Sequence, residues 1–235
     1  MKKITTLIFV SLISWSLNAQ SLLPIKYGIK VGANIASISA TQNDGSSPIE
    51  EPGLIGVSGG FYMQIPINNK LYINPELVYT QKGSSFIYDY TYNYPVNQRD
   101  EYVVTSNLNL SYVELNAIIS YKASDKISLN IGPSISYLVQ VDSTFTEKLK
   151  SESASALSLP PTSLYESESL DVGLNVGFSY YITENFILDG RFNTGFMTIG
   201  EISKQSTVVT TGNDLKSNIY ELKNRGFLFS VAYLF

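Results

Sequence analysis

The chain has 235 residues with 16 Lys and Arg, 20 Asp and Glu, and no Cys or His, so its formal net charge is −4. Without thiols or imidazoles it offers no disulfide framework, no cysteine nucleophile and no histidine acid–base pair or ligand. Most hydrolase and metalloenzyme chemistry is thereby excluded, no cofactor is expected, and the acidic balance argues against a nucleic-acid partner.

Residues 1–19 have the pattern of a secretory signal peptide. Two lysines near the start precede an apolar run from Ile4 to Leu17, and the small residue Ala19 follows. We therefore predict cleavage after Ala19 and a single mature domain at residues 20–235. The alternative, a membrane-anchor helix, fits less well because the apolar run is short and contains several Ser and Thr.

Eight segments of the mature chain alternate between apolar and polar side chains with a period of two, which is the side-chain period of a β-strand. The predicted strands are 26–36, 54–67, 71–82, 110–122, 127–139, 170–182, 186–196 and 226–235. Their connections are three short turns at 68–70, 123–125 and 183–185, and long polar segments near 39–52, 84–106, 142–169 and 200–218. Short periplasmic turns and long outer loops are typical of outer-membrane barrels.

Alternation alone does not tell which face of the strands points inward. A soluble, lipocalin-like barrel would place the apolar face inside. In this sequence the apolar faces carry almost no charge and end in Tyr or Phe, whereas the opposite faces mix Gly and Ser with charges of both signs. A lipid-facing band with aromatic ends fits better. The sequence therefore predicts an all-β fold, an eight-stranded antiparallel up-and-down transmembrane β-barrel in the cell outer membrane.

Four charged residues lie on the polar faces at similar distances from the predicted periplasmic ends: Lys30, Glu76, Glu114 and Arg191. The interior of an eight-stranded barrel is only wide enough for side chains to fill it, so we expect one layer of crossing salt bridges. A functional interpretation is an ion or proton path, or paired carboxylates for acid–base chemistry. A structural plug is favoured, because buried charges need partners.

The polar segment 84–106 contains an alternating aromatic run made of Phe86, Tyr88, Tyr90, Tyr92 and Tyr94. Its period of two predicts that the third strand continues above the membrane as a protruding hairpin with an aromatic face. That face would bind glycan or protein, since Tyr supplies rigid amphipathic contact area. The alternative is an aromatic girdle with cross-strand packing.

The last ten residues form the clearest strand. One face carries an unbroken apolar and aromatic stripe made of Phe227, Phe229, Val231, Tyr233 and Phe235. About ten residues suit a tilted crossing of the bilayer. A strand that ends on Phe resembles the closing strand of bacterial outer-membrane barrels. We therefore expect these five residues to act as an assembly signal that the barrel assembly machinery binds.

Several short segments resemble the PorT-like outer-membrane β-barrel family of Bacteroidota. They are 27–32, 75–79 with Lys82-Gly83, 112–115, Gly132-Pro133, and 191–193 with Gly195. Asn116 departs from the pattern, since this family often has Pro there. The resemblance implies a barrel that covers nearly the whole mature chain. One member of the family is associated with type IX secretion and gliding, and we do not transfer that role to this chain.

These patterns together predict a non-enzymatic outer-membrane protein with a structural or surface-interaction role through long extracellular loops. One alternative is an accessory subunit of a secretion or surface-assembly machine, which would bind an envelope protein. A second is a barrel enzyme that acts on lipid or peptide, which the missing His disfavours. The expected partners are outer-membrane lipids and the barrel assembly machinery.

Overall fold

A computed structural model of the chain describes residues 24–42, 52–93, 99–149, 165–205 and 217–235. The strands are β1 (Lys26–Gln42), β2 (Leu54–Pro66), β3 (Leu71–Asn93), β4 (Arg99–Lys122), β5 (Ile127–Leu149), β6 (Tyr165–Ser167), β7 (Leu170–Tyr181), β8 (Phe186–Gly195), β9 (Gly200–Gln205) and β10 (Ser217–Leu234). Within these ranges no helix is long and apolar enough to cross a membrane. The predicted signal peptide, residues 1–19, lies outside the described residues.

Eight of the ten strands close into a ring of antiparallel pairs in the order β1-β2-β3-β4-β5-β7-β8-β10, and β10 pairs again with β1. The closing pair runs from Gly28↔Leu234 to Gln42↔Tyr220. The short strands β6 and β9, which were not predicted, pair with each other, and β9 also pairs with β10. The predicted eight-stranded antiparallel barrel is therefore confirmed.

Three tight turns lie at one end of the barrel and share one construction. Asn68 Oδ1 accepts hydrogen bonds from the backbone N–H groups two and three residues further on, both at 2.9 Å. Ser124 Oγ and Thr183 Oγ1 accept the same pair of bonds in the other two turns. Such side-chain acceptors favour turns over continued strand. The predicted turns are confirmed, and we call this end periplasmic, following the topology of such barrels.

The side chains on the two faces of the wall differ sharply in exposure. Val31 points outward and is 61% exposed, whereas its neighbour Lys30 points into the barrel and is 4% exposed. The same alternation places Phe61, Leu115 and the other apolar residues of the predicted stripes on the outside. An apolar exterior around a polar interior is the arrangement of a membrane barrel, and the lipocalin-like alternative is wrong for this chain.

Above this lipid-facing band the two faces exchange character. On β1, Ile38 and Ala40 point inward and are fully buried, while Thr41 is exposed. On β4, Leu110 points inward and is buried, while Asn109 is exposed. A polar outer face with an apolar inner face is expected where the wall leaves hydrocarbon and enters water, because apolar surface is then buried only inside.

The exchange of faces explains where the predicted strand ends are wrong. The first, third and fifth strands were predicted to end at residues 36, 82 and 139, but β1 reaches Gln42, β3 reaches Asn93 and β5 reaches Leu149. The outward residues become polar at these points while the backbone pairing continues. Parts of the predicted long loops are therefore strand, and β3 stays paired with β4 as far as Asn93↔Arg99, as the predicted hairpin requires.

Strands β2 and β3 approach each other closely at Gly60. A Cβ atom on Gly60 would overlap the carbonyl oxygen of Leu77 and lie 2.6 Å from the Cα of Val78. On Gly59, which faces the other way, the nearest atom would be the carbonyl oxygen of Lys30 at 3.5 Å. This pair of adjacent glycines therefore provides a matched test of packing between the two strands.

We expect Gly60→Ala to lower the free energy of unfolding by about 1–3 kcal/mol, since the strands must move apart. Gly59→Ala should stay close to the wild type, because its methyl group would make only ordinary van der Waals contacts, the nearest at 3.5 Å. Urea unfolding of the two variants in the same detergent, followed by the gel shift of the folded barrel, compares them directly. Equal destabilisation by both changes would contradict the close-packing argument.

Candidate functional site

The interior of the barrel contains an apolar cluster at each end and polar side chains between them. The periplasmic apolar cluster consists of Tyr62, Ile187, Ala232 and Leu234, with Tyr181 packed against it. The extracellular apolar cluster consists of Ile38, Ala40, Phe86, Leu108, Leu110, Tyr112, Ile199 and Leu222. The charged residues predicted to form a site lie between these clusters, on the inward faces of β1, β3, β4 and β8.

Arg191 is the centre of a lower ion cluster that also contains Lys30, Glu76 and Asp189. Its Nη1 and Nη2 donate to the two carboxylate oxygens of Glu76 at 2.7 and 2.8 Å, and its Nε lies 2.7 Å from Asp189 Oδ1. Lys30 Nζ donates to Glu76 Oε1 at 2.8 Å and to Asp189 Oδ1 at 3.4 Å. Two cations thus face two carboxylates, which offsets the cost of taking these charges out of water.

A chain of small polar side chains fixes Asp189 from the neighbouring strands. Ser179 Oγ and Asn130 Nδ2 donate to Asp189 Oδ2 at 2.7 and 3.0 Å. Ser120 Oγ in turn donates to Asn130 Oδ1, and Asn74 Nδ2 donates to Ser120 Oγ, both at 2.7 Å. Five strands therefore contribute to the position of one carboxylate.

Glu114 belongs to a separate upper ion cluster with Lys82. Lys82 Nζ donates to Glu114 Oε2 at 2.8 Å and to Asn193 Oδ1 at 3.1 Å, and Ser136 Oγ donates to Glu114 Oε2 at 2.8 Å. The prediction of one layer that contains Glu114 together with Lys30, Glu76 and Arg191 is therefore wrong. In the β3–β4 register Glu76 pairs with Asn116 rather than with Glu114, so Glu114 lies one inward position higher.

Side-chain amides connect the two ion clusters. Asn116 Nδ2 donates to Glu76 Oε2 at 3.4 Å, and Asn175 Nδ2 donates to Asn116 Oδ1 at 3.1 Å. Asn193 Nδ2 then donates to Asn175 Oδ1 at 3.2 Å, and Asn193 also contacts Lys82. The charged interior is thus one hydrogen-bonded network.

An aromatic ring closes each ion cluster. Lys30 Nζ lies 5.2 Å from the ring centroid of Tyr62, and Lys82 Nζ lies 5.4 Å from that of Tyr112. A cation over an aromatic face is attracted by the ring quadrupole. Tyr62 belongs to the periplasmic apolar cluster and Tyr112 to the extracellular one. The charged network therefore lies between two apolar clusters, one at each end of the interior, and this geometry suits a structural plug.

Sequence reasoning did not assign Lys82 and Asp189 to the predicted cluster, although a signal for both was present. Asp189 lies two residues before Arg191 and Lys82 lies six residues after Glu76, so each shares the inward face of its strand. An opposite charge on the same face of the same strand is a local pattern. The asparagines that bridge the clusters also lie on predicted polar faces.

The predicted aromatic face of the protruding hairpin is only partly described. Phe86 is 1% exposed and belongs to the extracellular apolar cluster, so it does not contribute to an exposed binding surface. The backbone pairs Tyr88↔Val104 and Tyr90↔Tyr102 continue the hairpin. The side chains of Tyr88, Tyr90 and Tyr92, and all of Tyr94, lie outside the described residues.

The aromatic stripe of the final strand faces outward. Phe227, Phe229, Tyr233 and Phe235 are all exposed, with Phe235 at 70%, and Val231 is partly exposed. The rings of Tyr233 and Phe235 pack edge to face with centroids 5.5 Å apart. This placement fits a lipid-facing stripe, and the role of these residues as an assembly signal stays a prediction.

A closed antiparallel barrel with an apolar exterior and a filled polar interior defines the class of small membrane barrels. Residues 18–200 match the family model described as outer membrane protein beta-barrel domain, and the chain belongs to this family. The location of the protein is therefore the outer membrane. The narrower PorT-like resemblance is not confirmed by this match.

Comparison with solved structures finds several outer-membrane proteins that are similar to this chain at low identity. Neisserial surface protein A shares 13% identity over 91% of this chain and 100% of its own, with a TM-score of 0.44. Ail of Yersinia pestis shares 10% identity over 91% of this chain and 100% of its own, with a TM-score of 0.41. The outer membrane protease OmpT from Escherichia coli shares 12% identity over 91% of this chain and 99% of its own, with a TM-score of 0.38. No curated protein matches the sequence significantly.

Proposed function

We propose that this protein is a non-enzymatic outer-membrane barrel with a structural or surface-interaction role carried by the part of its wall that projects outside the cell. The observation that carries the proposal is strand length. Strands β3, β4 and β5 have 23, 24 and 23 residues, whereas β7 and β8 have 12 and 10. A crossing takes about 9–11 residues. Roughly a dozen residues of each long strand therefore lie beyond the membrane, ~40 Å along the strand.

The contents of the interior support a role outside the lumen. Glu76, Asp189 and Glu114 each contact a cation within 2.8 Å, and apolar clusters lie above and below them. The carboxylate of Asp171 is also buried and accepts a hydrogen bond from Asn224 Nδ2 at 2.9 Å. A carboxylate that acts as a general base must lie within hydrogen-bond reach of its substrate. This arrangement favours a non-enzymatic protein over a barrel enzyme that acts on lipid or peptide.

The same filling predicts that the barrel conducts no ions. Apolar constrictions bar ions by excluding water, and an apolar cluster lies at each end of the charged interior of this barrel. We expect planar bilayers that contain the refolded protein to show no current above that of protein-free bilayers at any voltage tested. Discrete current steps that appear only with the folded protein would contradict the plug and favour an ion path.

A shortened variant tests the role of the projection. Tyr88 and Val104 are paired directly, so residues 89–103 can be replaced by a two-residue Asn-Gly turn that closes the hairpin. We expect this variant to reach the outer membrane and keep its heat-dependent gel shift. Cells that produce the wild-type protein should aggregate, or bind glycan and protein arrays, more than cells with an empty vector. Cells that produce the shortened variant should lose this gain.

Two outcomes of this comparison would count against the proposed role. The first is wild-type cells that gain no binding or aggregation over the empty vector. The second is a shortened variant that retains all of the gain. As a matched control, Asp89→Asn and Glu101→Gln change the charge of the removed segment without shortening it.

One observation favours the alternative of an accessory subunit that docks an envelope protein. A cavity of about 530 Å³ at the periplasmic mouth is lined by three lysines and two carboxylates, together with Tyr72 and Tyr181: Lys26, Lys122, Lys126, Asp125 and Glu184. Lys122 Nζ lies 3.7 Å from Asp125 Oδ1, so the attraction for an acidic segment of a periplasmic partner depends on Lys26 and Lys126. An accessory subunit should run with a larger assembly on native gels in mild detergent. Changing the three lysines to Glu should release it, whereas the shortened projection should not.

A further inference from the structure

The outward face of β3, β4 and β5 carries rows of polar side chains just above the lipid-facing band. The directly paired residues share a face, and the rows are Gln81–Ser111–Gln140, Gly83–Asn109–Asp142, Ser85–Asn107–Thr144 and Ile87–Thr105–Thr146. Opposite these rows, the inner face contributes Phe86, Leu108 and Leu110 to the extracellular apolar cluster. We call this outward face the polar rows. Ser85 and Ser111 are buried, and the exposed polar side chains of the face are Asn109, Gln140, Asp142, Thr144 and Thr146.

The polar rows are continuous with the interface between the barrel and lipid. The row immediately below them is Tyr79–Val113–Tyr137, and all three side chains are exposed on the outside. Tyr79 Oη donates to Ser111 Oγ at 2.9 Å, and Gln81 Nε2 donates to Tyr79 Oη at 3.4 Å. Aromatic side chains with a polar tip mark the membrane interface. The polar rows therefore begin at the height of the outer-leaflet headgroups.

The chemistry of the polar rows is that of amides and hydroxyls with a single carboxylate. Gln140 Nε2 donates to Asp142 Oδ2 at 2.8 Å, which holds that carboxylate along the wall. Phosphate sites are built from Arg and Lys, and none of the polar rows contains either. Planar amides and carboxylates instead match neighbouring hydroxyl groups of a sugar, since each presents hydrogen-bonding atoms side by side.

A shallow cleft at the edge of the polar rows provides a place for a sugar ring. It has a volume of about 210 Å³ and is lined by Gln81, Asn109, Ser111 and Asp142, with Leu54 and Ile55 as its apolar part. Lys82 also lines it, but its Nζ donates to Glu114 inside the barrel. A mixed lining of this kind fits a sugar, because the ring has hydroxyl groups at its edge and C–H groups on its faces.

We propose that the polar rows bind the sugar part of an outer-leaflet glycolipid and thereby seat the projection on the membrane surface. The inference depends on the outer-membrane location and on the described wall, and it does not depend on what the tip of the projection binds. The shortened variant with residues 89–103 replaced retains every one of the polar rows. It should therefore bind glycolipid like the wild type even if the proposed surface role fails.

The test uses purified, folded protein in mild detergent and three probes: lipopolysaccharide with core sugars, lipid A alone, and phosphatidylglycerol. Binding is measured by native mass spectrometry and by titration. The double variant Asn109→Ala/Asp142→Ala removes one direct cross-strand pair. We expect it to bind lipopolysaccharide at least about tenfold more weakly, as the loss of one or two net hydrogen bonds implies. Its binding of phosphatidylglycerol should not change.

The matched control is Lys223→Ala, which removes an exposed cation on β10, outside the polar rows. It should leave lipopolysaccharide binding unchanged. If Lys223→Ala weakens binding and the double variant does not, phosphates drive binding and the proposal is overturned. Equal affinity of wild type for lipopolysaccharide and for lipid A, undiminished in the double variant, overturns it too.

A second variant keeps the test valid if the double variant folds poorly. Thr144→Val/Thr146→Val replaces two exposed hydroxyls by methyl groups of the same shape and retains the strand preference of the residues. We expect several-fold weaker binding of lipopolysaccharide and an unchanged heat-dependent gel shift. Wild-type affinity in this variant, together with wild-type affinity after Gln81→Ala, contradicts the assignment.

Discussion

Replacing Arg191 with Ala is expected to lower the free energy of unfolding by about 3–5 kcal/mol, the cost of breaking a buried ion pair. The guanidinium contacts both oxygens of Glu76 and also lies beside Asp189. Its removal leaves Lys30 as the one cation that contacts both carboxylates among the described residues. Water cannot replace it freely, since the side chains of the cluster are at most 5% exposed.

Urea unfolding in detergent, followed by the heat-dependent gel shift, measures this loss. Arg191→Ala/Glu76→Gln should recover part of it, because the double variant removes one of the two stranded negative charges. Lys126→Ala removes an exposed cation in a periplasmic turn and should cost less than about 0.5 kcal/mol. Unchanged stability in Arg191→Ala, together with altered ion flux, would reverse the assignment of Arg191 from plug to path.

The lipid-facing band was predictable from sequence because its physics is local. Side chains on a strand alternate between two faces, and hydrocarbon requires one of these faces to be apolar along the whole crossing. Val31, Phe61 and Leu115 were therefore placed outside correctly. The exterior is also a single environment, so no knowledge of neighbouring strands is needed to assign it.

The extracellular half of the wall was less predictable because the same period continues with the opposite phase. Beyond Ile35 the inward positions of β1 become apolar, and Thr41 on the outside is polar. The apolar stripe on the outward face ends at this point, and this stripe taken alone predicts a loop. Two environments meet along one strand, and only the burial of Ile38 and Ala40 against Leu222 and Phe86 reveals that the strand continues.

The ion-pair partners depend on the stagger between strands, which the alternation of polar and apolar residues does not give. The alternation says that Glu76 and Glu114 both point inward, but their heights depend on the stagger between strands. The β3–β4 register sets Glu114 opposite Val78 and Glu76 opposite Asn116. Lys82 is therefore the cation that Glu114 contacts, while Arg191 contacts Glu76. In a hairpin the register follows from the turn type and the loop length, and β3 and β4 are joined by a long connection whose turn type the alternation does not give.

The final strand carries the second large effect that we expect. Replacing Tyr233 and Phe235 together with Ser should reduce the amount of folded protein in the outer membrane several-fold, because the outward stripe is the proposed assembly signal. The backbone of this strand does not depend on the two rings. Gly28 remains paired with Leu234, and the N–H of Phe235 donates to the carbonyl oxygen of Tyr27 at 2.7 Å. The double change thus removes side chains without altering the strand register.

A control pair of residues on another strand distinguishes an assembly signal in the final strand from simple contact with lipid. Ile127 and Leu129 begin β5 beside a periplasmic turn, and both are exposed to lipid as Tyr233 and Phe235 are. Ile127→Ser/Leu129→Ser removes apolar surface at a similar depth but leaves the final strand intact. Cell fractionation with immunoblotting, on boiled and unboiled samples, should give a much smaller fall for this control. An equal fall in both variants would mean that the stripe acts by lipid contact alone, and normal abundance of the Tyr233/Phe235 variant would place the assembly signal elsewhere.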